Sequence, residues 1–317
     1  MLNTNCLLSC EDIKRTRLIT VLGKEIEVKN YICSKDGINY KEKPKQTKLR
    51  LSICPTSFCA AYCPFCIATE IKKQNRIDLK KLEYVLRELK RDDLIFTTSI
   101  TGGEPFTDIE LLNEVISMVF DIFGKDMELS LNTNGFALNE IHRVKHLELL
   151  ESVHVSRHHY DDKINESIFG IRMPSANELK EIFASVHIDD LFVLNCMLLK
   201  DYINGPEEAH KMLDFASFVN AYKISFIECS PANSYCIEQA VKYDDALKKD
   251  DPSLLFTRGF QDFEFCRCSD GIYVAKDGSI MEFYGRSTKP DGCQYCRGLV
   301  FGSDNHLRSG FNGDIIY

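Results

Sequence analysis

Cys59, Cys63 and Cys66 stand in the run Cys59-Ala60-Ala61-Tyr62-Cys63-Pro64-Phe65-Cys66, a CxxxCxxC spacing directly after the alternating segment Leu49 to Ile53. Three thiolates in one short loop hold three irons of a [4Fe-4S] cube and leave the fourth iron without a protein ligand, whereas electron-transfer clusters normally use four cysteines. An open iron binds a substrate or cofactor. The bland alternatives are plain reduced thiols or a zinc site with a fourth ligand from elsewhere. Tetrahedral zinc usually takes paired CxxC units, which this spacing is not.

The surrounding pattern is strand then helix, repeated. Leu49, Leu51 and Ile53 alternate with Arg50 and Ser52, and Leu79, Leu82, Leu86 and Leu89 follow at helical spacing. Leu94 to Ile100 is a second apolar run, followed by Ile109, Leu112, Val115, Ile116, Val119 and Phe123 on one helical face. Met127 to Leu131, Ser152 to Ser156, Leu191 to Leu199 and Ile224 to Ile227 supply four more strands. Between them, Ser175-Ala176-Asn177-Glu178 reads as a capping box, and Pro206 leads a helix carrying Met212, Phe215 and Val219. Six strands alternating with helices imply parallel pairing and right-handed crossovers, hence an α/β fold, an open, partial (βα)6 TIM-like barrel. In such sheets ligands bind at the carboxyl ends of the strands. The cysteine loop, Gly102-Gly103-Glu104 and Asn132-Thr133-Asn134-Gly135 all fall there.

Together, Cys59, Cys63 and Cys66 with an aromatic at Phe65, then Thr101-Gly102-Gly103-Glu104-Pro105 and Asn132-Thr133-Asn134-Gly135, resemble the radical S-adenosylmethionine superfamily over roughly Lys48 to Pro231. The resemblance implies that the open iron chelates the amino and carboxylate groups of S-adenosylmethionine. An electron then cleaves a carbon-sulfur bond to release methionine and a 5′-deoxyadenosyl radical, which takes a hydrogen atom from the substrate. It also assigns Gly102, Gly103 and Glu104 to the cofactor's ammonium. Taken alone, Gly102-Gly103 is a tight strand-to-helix turn, and Asn132 and Asn134 form an Asx turn or line the site.

Ser156-Arg157-His158-His159 ends the fourth strand. In similar enzymes a serine here touches the cofactor's ribose or carboxylate, and Arg157 offers a charge-assisted fork to the carboxylate. The chain departs from the commoner serine-leucine-aspartate form. Adjacent histidines on a strand end point to opposite sides, so at most one of His158 and His159 faces the pocket. The resemblance places Asn195 near the ribose; the other reading is a buried, hydrogen-bonded amide. Ser225-Phe226-Ile227-Glu228 is similar to the sixth strand of the branch that contains the molybdenum-cofactor GTP cyclising enzyme. That branch ends in a glycine-arginine tail where this chain has Asn312-Gly313-Asp314-Ile315-Ile316-Tyr317, so GTP cyclisation is not carried over.

Cys266 and Cys268, a hairpin turning at Asp277-Gly278, and then Cys293 and Cys296 resemble the auxiliary-cluster extension called a twitch or SPASM-like domain. Four thiolates hold a second [4Fe-4S] cluster; zinc and free thiols are the alternatives, and Cys229 or Cys236 is a substitute ligand. These segments divide the chain into an N-terminal extension with a possible small hairpin (1–47), the partial-barrel core (48–235) and the cysteine-bearing C-terminal β-hairpin extension (236–317).

Acidic residues outnumber basic ones 47 to 39, giving a net charge of −8, which disfavours nucleic acid as a partner. No run approaches the roughly 20 apolar residues of a membrane span. With 14 cysteines and no signal layout at Met1 to Cys10, the chain reads as cytoplasmic, its thiols reduced or metal-bound. The expectation is a radical S-adenosylmethionine enzyme, an oxidoreductase or related transformer, acting on a small-molecule or peptide substrate with a flavodoxin or ferredoxin as electron donor. The competing reading is a noncatalytic zinc-binding interaction module on an α/β scaffold.

Overall fold

The structure is a computed structural model that describes residues 16–29, 49–66, 75–258, 268–276, 278–286, 298–311 and 313–317. Cys266, Cys293 and Cys296 lie outside the described residues, and of Cys268 only the main chain is described.

Six parallel strands form the centre: β3 (Leu49–Ile53), β4 (Ile95–Ile100), β5 (Glu128–Thr133), β6 (Ser152–Ser156), β7 (Phe192–Leu198) and β8 (Lys223–Glu228), each paired with the next. Helices fill the connections: α1 (Leu79–Arg91), α2 (Ile109–Phe123), α3 (Asp162–Phe169), α4 (Ala176–Val186) and α5 (Pro206–Phe218). Their ends are specified locally. Asp78 accepts from the amides of Lys80 and Lys81, Asp108 from Leu111, and Ser175 and Glu178 complete the expected capping box on α4. Pro206 opens α5 at the position where its missing N–H leaves nothing unpaired.

The strands are two-faced. Leu51, Ile53, Leu131, Val153 and Leu194 bury outward against Leu82, Leu86, Val115 and Leu213 of the helices. Each such side chain contributes about 1.5–3 kcal/mol on leaving water. The opposite face is polar: Ser52, Ser99, Ser130 and Ser152 stand in one register row across four adjacent strands, and Asn132 pairs with His154 in the next. A closed barrel of this family of folds packs branched apolar residues there. This sheet instead lines its concave side with small hydroxyls.

The C-terminal residues continue both edges of the same sheet. After α6 (Ser234–Gln239) and α7 (Tyr243–Ala246), the strands β9 (Leu254–Arg258), β10 (Cys268–Val274) and β11 (Ile280–Arg286) form an antiparallel meander, and β11 lies parallel to β8. The expected hairpin is β10–β11, turning through Gly278 at φ 85°. On the far side β12 (Gly298–Phe301) runs parallel to β3 and antiparallel to β13 (Leu307–Arg308). The eleven-stranded sheet stays open from β13 to β9. A separate hairpin, β1 (Thr16–Val21) and β2 (Lys24–Lys29), buries Val21, Ile26 and Val28 in the main core. Among the described residues no helix is long and apolar enough to cross a membrane.

Candidate active site

The loop leaving β3 carries the three cysteines, and its path is fixed from several sides. The Cys54 amide donates to Phe301 O of β12 at 2.9 Å, Tyr62 N to Phe169 O of α3 at 2.8 Å, and Cys66 N to Cys63 O at 3.1 Å. From the next strand end, Gly103 N reaches Thr56 O at 2.9 Å and Glu104 N reaches Phe58 O at 2.7 Å. This is why glycines stand there. A Cβ on Gly103 would lie 2.2 Å from Phe58 O, and one on Gly102, whose φ is 119°, would lie 2.8 Å from Cys54 Cβ.

Cys59, Cys63 and Cys66 are free thiols, neither fully buried nor fully exposed. Burial pushes the Cys63 thiol up to about 12, and the neighbouring Cys66 and Cys59 sulfurs add to that by repulsion. Burial also raises Cys59, against hydrogen bonds from the Ala61 amide and the Asn134 side chain. Asn134 Nδ2 donates to Cys59 Sγ at 3.5 Å. The donor set fits an iron-sulfur cube: three sulfurs that repel one another as anions need a shared cation, and N–H donors to sulfur tune such clusters. Among the described residues no three His, Cys, Asp or Glu side chains converge to hold a single metal ion.

Asn134 serves two purposes. Its Oδ1 accepts from Phe136 N at 2.9 Å, the Asx turn foreseen as the bland reading, while its Nδ2 points at Cys59. Asn132 is on the polar face, donating to Ile100 O at 3.2 Å. Glu104 is 1% exposed, and its carboxylate is committed inward. It accepts from Phe106 N at 3.1 Å, Thr133 Oγ1 at 2.7 Å and Asn134 N at 2.6 Å. Burial lifts its pKa to about 7 against those three donors. These three bonds make the carboxylate a strut between the loops after β4 and β5.

Ser156 ends β6 on the polar face, in register with Asn195 of β7. Arg157 is not brought there, which corrects the expectation that it pairs with a cofactor carboxylate. It shares strand parity with Val153 and Val155, so it points outward to the helices. Its guanidinium donates to His159 O at 2.7 Å, Pro174 O at 3.0 Å, Tyr160 O at 3.2 Å and Asp162 Oδ1 at 2.5 Å, and lies 4.5 Å from the Phe215 ring. It is 1% exposed, and these bonds engage all three of its nitrogens. Burial lowers its pKa, and Asp162 opposes that shift.

Two histidines that the motifs did not single out as site residues hold key positions. His158 is buried between Phe65 and Phe169, its Nδ1 accepting from Met197 N at 3.1 Å. Burial drops its pKa to about 3, so the ring is neutral. His154, in the middle of β6, contacts both Ser152 and Asn195. The strand alternation Ser152-Val153-His154-Val155-Ser156 carried that signal. His159 is buried beside Tyr160 and Tyr202, its Nδ1 accepting from Asp161 N at 2.9 Å. Cys229 and Cys236, considered above as substitute ligands, are buried with Phe65, and Cys236 Sγ donates to Phe65 O at 3.7 Å. Nearby, Asn233 Nδ2 donates to Pro64 O at 3.1 Å.

A parallel sheet whose first strand end presents three free thiols, flanked by a glycine turn and an Asn-Thr-Asn turn, defines the class of partial-barrel enzymes built around a three-cysteine iron-sulfur site. The chain belongs to the radical SAM superfamily, whose pattern matches residues 53–215, about half of its length. Membership implies a [4Fe-4S] cluster and S-adenosylmethionine. The chain is 27% identical over 260 residues to GTP 3′,8-cyclase of Helicobacter pylori (strain ATCC 700392 / 26695), covering 73% of this chain and 78% of that protein. Its fold is similar to that of Streptococcus suis SuiB bound to S-adenosylmethionine, with a TM-score of 0.55 at 16% identity, covering 85% of this chain and 63% of SuiB.

Proposed function

We propose that Cys59, Cys63 and Cys66 hold the [4Fe-4S] cluster and that the chain reductively cleaves S-adenosylmethionine to take a hydrogen atom from a small-molecule or peptide substrate. The observation that carries this reading is the trio of free thiols in one loop, with Asn134 Nδ2 directed at Cys59 Sγ. When bound, the cluster and cofactor supply the electron and the 5′-deoxyadenosyl radical; the protein supplies binding, orientation and exclusion of water.

The three thiolates fix the cube and leave one iron to the cofactor. Main-chain groups at Gly102 and Gly103, with the Glu104 carboxylate that braces the turn, receive its ammonium end. Ser156 and Asn195, adjacent in register, meet the ribose, and Asn132 lines the same face. The serine row below them offers hydroxyls to a polar substrate. We assign Cys266, Cys268, Cys293 and Cys296 to a second [4Fe-4S] cluster in a 236–317 extension, and a flavodoxin or ferredoxin to electron supply. The zinc-module alternative is not favoured, given the family.

Anaerobically reconstituted protein, reduced with dithionite, is expected to convert S-adenosylmethionine to 5′-deoxyadenosine, and Cys63→Ala to form none. Turnover by Cys63→Ala equal to that of the unaltered chain would overturn the assignment.

A further inference from the structure

His154 engages both of its ring nitrogens along the polar face of the sheet. Nε2 lies 3.0 Å from Ser152 Oγ, two residues back on β6, and Nδ1 lies 3.3 Å from Asn195 Oδ1 across on β7. A neutral ring satisfies both contacts, one nitrogen donating and the other accepting, with the Ser152 hydroxyl and the Asn195 amide as partners. One end of the Asn195 amide is thereby held. Asn195 stands in the register row that also holds Ser156 and Ser225.

We propose that His154 is a positioning residue that holds the Asn195 side chain in one rotamer, so that the other end of its amide meets a ribose hydroxyl of the bound cofactor. This rests on the reading of Asn195 as a ribose contact. Without that contact the Asn195 side chain samples other rotamers, and binding must order it. The relay acts only through Asn195. It therefore affects how tightly S-adenosylmethionine binds and leaves the cleavage step itself untouched.

Two substitutions separate the two ring nitrogens. His154→Asn places a side-chain amide where Nδ1 stands, and His154→Gln places one where Nε2 stands. The test is KM and kcat for S-adenosylmethionine cleavage in reconstituted protein, with iron and sulfide content measured alongside. Asn195→Ala is expected to raise KM about tenfold, the loss of one good hydrogen bond. His154→Gln should raise it about three- to tenfold with little change in kcat, and His154→Asn should stay within about twofold of the unaltered chain. In the double variant His154→Gln/Asn195→Ala, KM should match Asn195→Ala alone, because the first change has nothing left to act on.

Penalties that multiply in the double variant, or a His154→Gln KM that stays unchanged while Asn195→Ala raises it, would overturn the proposal. Iron or sulfide lost in both His154 variants would assign the residue to holding the sheet and likewise overturn it. An unchanged KM in Asn195→Ala would overturn the ribose reading, and the proposal with it.

Discussion

The imidazole of His158 meets the ring of Phe65 edge-on, with centroids 4.9 Å apart and planes at 90°. Phe65 sits between Cys63 and Cys66, so this contact ties the end of β6 to the loop that carries the thiols. The ring also stacks on Phe169 at 5.1 Å and accepts from Met197 N, leaving burial with no room for a charge.

That burial has a pH consequence. His158 is held down to about 3 from an ordinary 6.5, so the unfolded chain takes a proton that the folded chain refuses. Its stabilising effect is complete above pH 6.5 and declines as pH falls toward 3, with a slope of up to about 1.4 kcal/mol per pH unit for one proton. Denaturant titrations at pH 7 and pH 5 should show a smaller acid-induced loss in His158→Phe than in the unaltered chain. Equal losses would refute the assignment.

Gly103 tests how closely the loops approach. In Gly103→Ala the new Cβ meets Phe58 O, a main-chain atom that cannot step aside, and the loop must move. The expected cost is about 3 kcal/mol or more, with iron content after reconstitution well below that of the parent. Gly205→Ala is the control, since nothing lies within 4 Å of its added Cβ and its backbone is extended.

Glu104→Gln replaces one of two acceptor oxygens with an NH2 group facing donors. The bonds from Thr133, Phe106 and the Asn134 amide cannot all persist. A stability loss of about 2–3 kcal/mol is expected by urea denaturation. Because Asn134 is anchored there and reaches Cys59, faster iron loss to a chelator should accompany it.

For Arg157, fold and function separate. Arg157→Lys removes a fork that bridges three carbonyls and Asp162, at an expected cost of about 2–4 kcal/mol. KM for S-adenosylmethionine, measured on the folded fraction, should not change. A raised KM with full stability would restore the cofactor contact first expected of this residue.

The contrast between residues shows what a sequence carries. The triad's spacing, the six alternating strands, the capping box at Ser175 and the turn at Asn134 are local signals, written within a few residues. The direction of Arg157 was also local, since it shares parity with Val153 and Val155, but its charge after Ser156 drew attention to the rim. Glu104 could not be read locally, because its partners Thr133 and Asn134 lie about 30 residues away on another loop. Nor could His154 with Asn195, 41 residues apart, or the docking of β11 on β8 and β12 on β3, which depends on pairing across long stretches of chain. The α3 helix is short and carries the Asn165 that accepts from His158 N; its weak periodicity gave no signal of it.

In the proposed function three cysteines hold a cube whose fourth iron is filled by S-adenosylmethionine. Electron-nuclear double resonance on the reduced, reconstituted protein tests it directly, with the cofactor labelled by 15N at its amino group and 17O at its carboxylate. Hyperfine coupling from both labels to the cluster is expected, lost in Cys63→Ala. Zinc without acid-labile sulfide, or a reduced cluster that shows no coupling to either label at saturating cofactor, would contradict it.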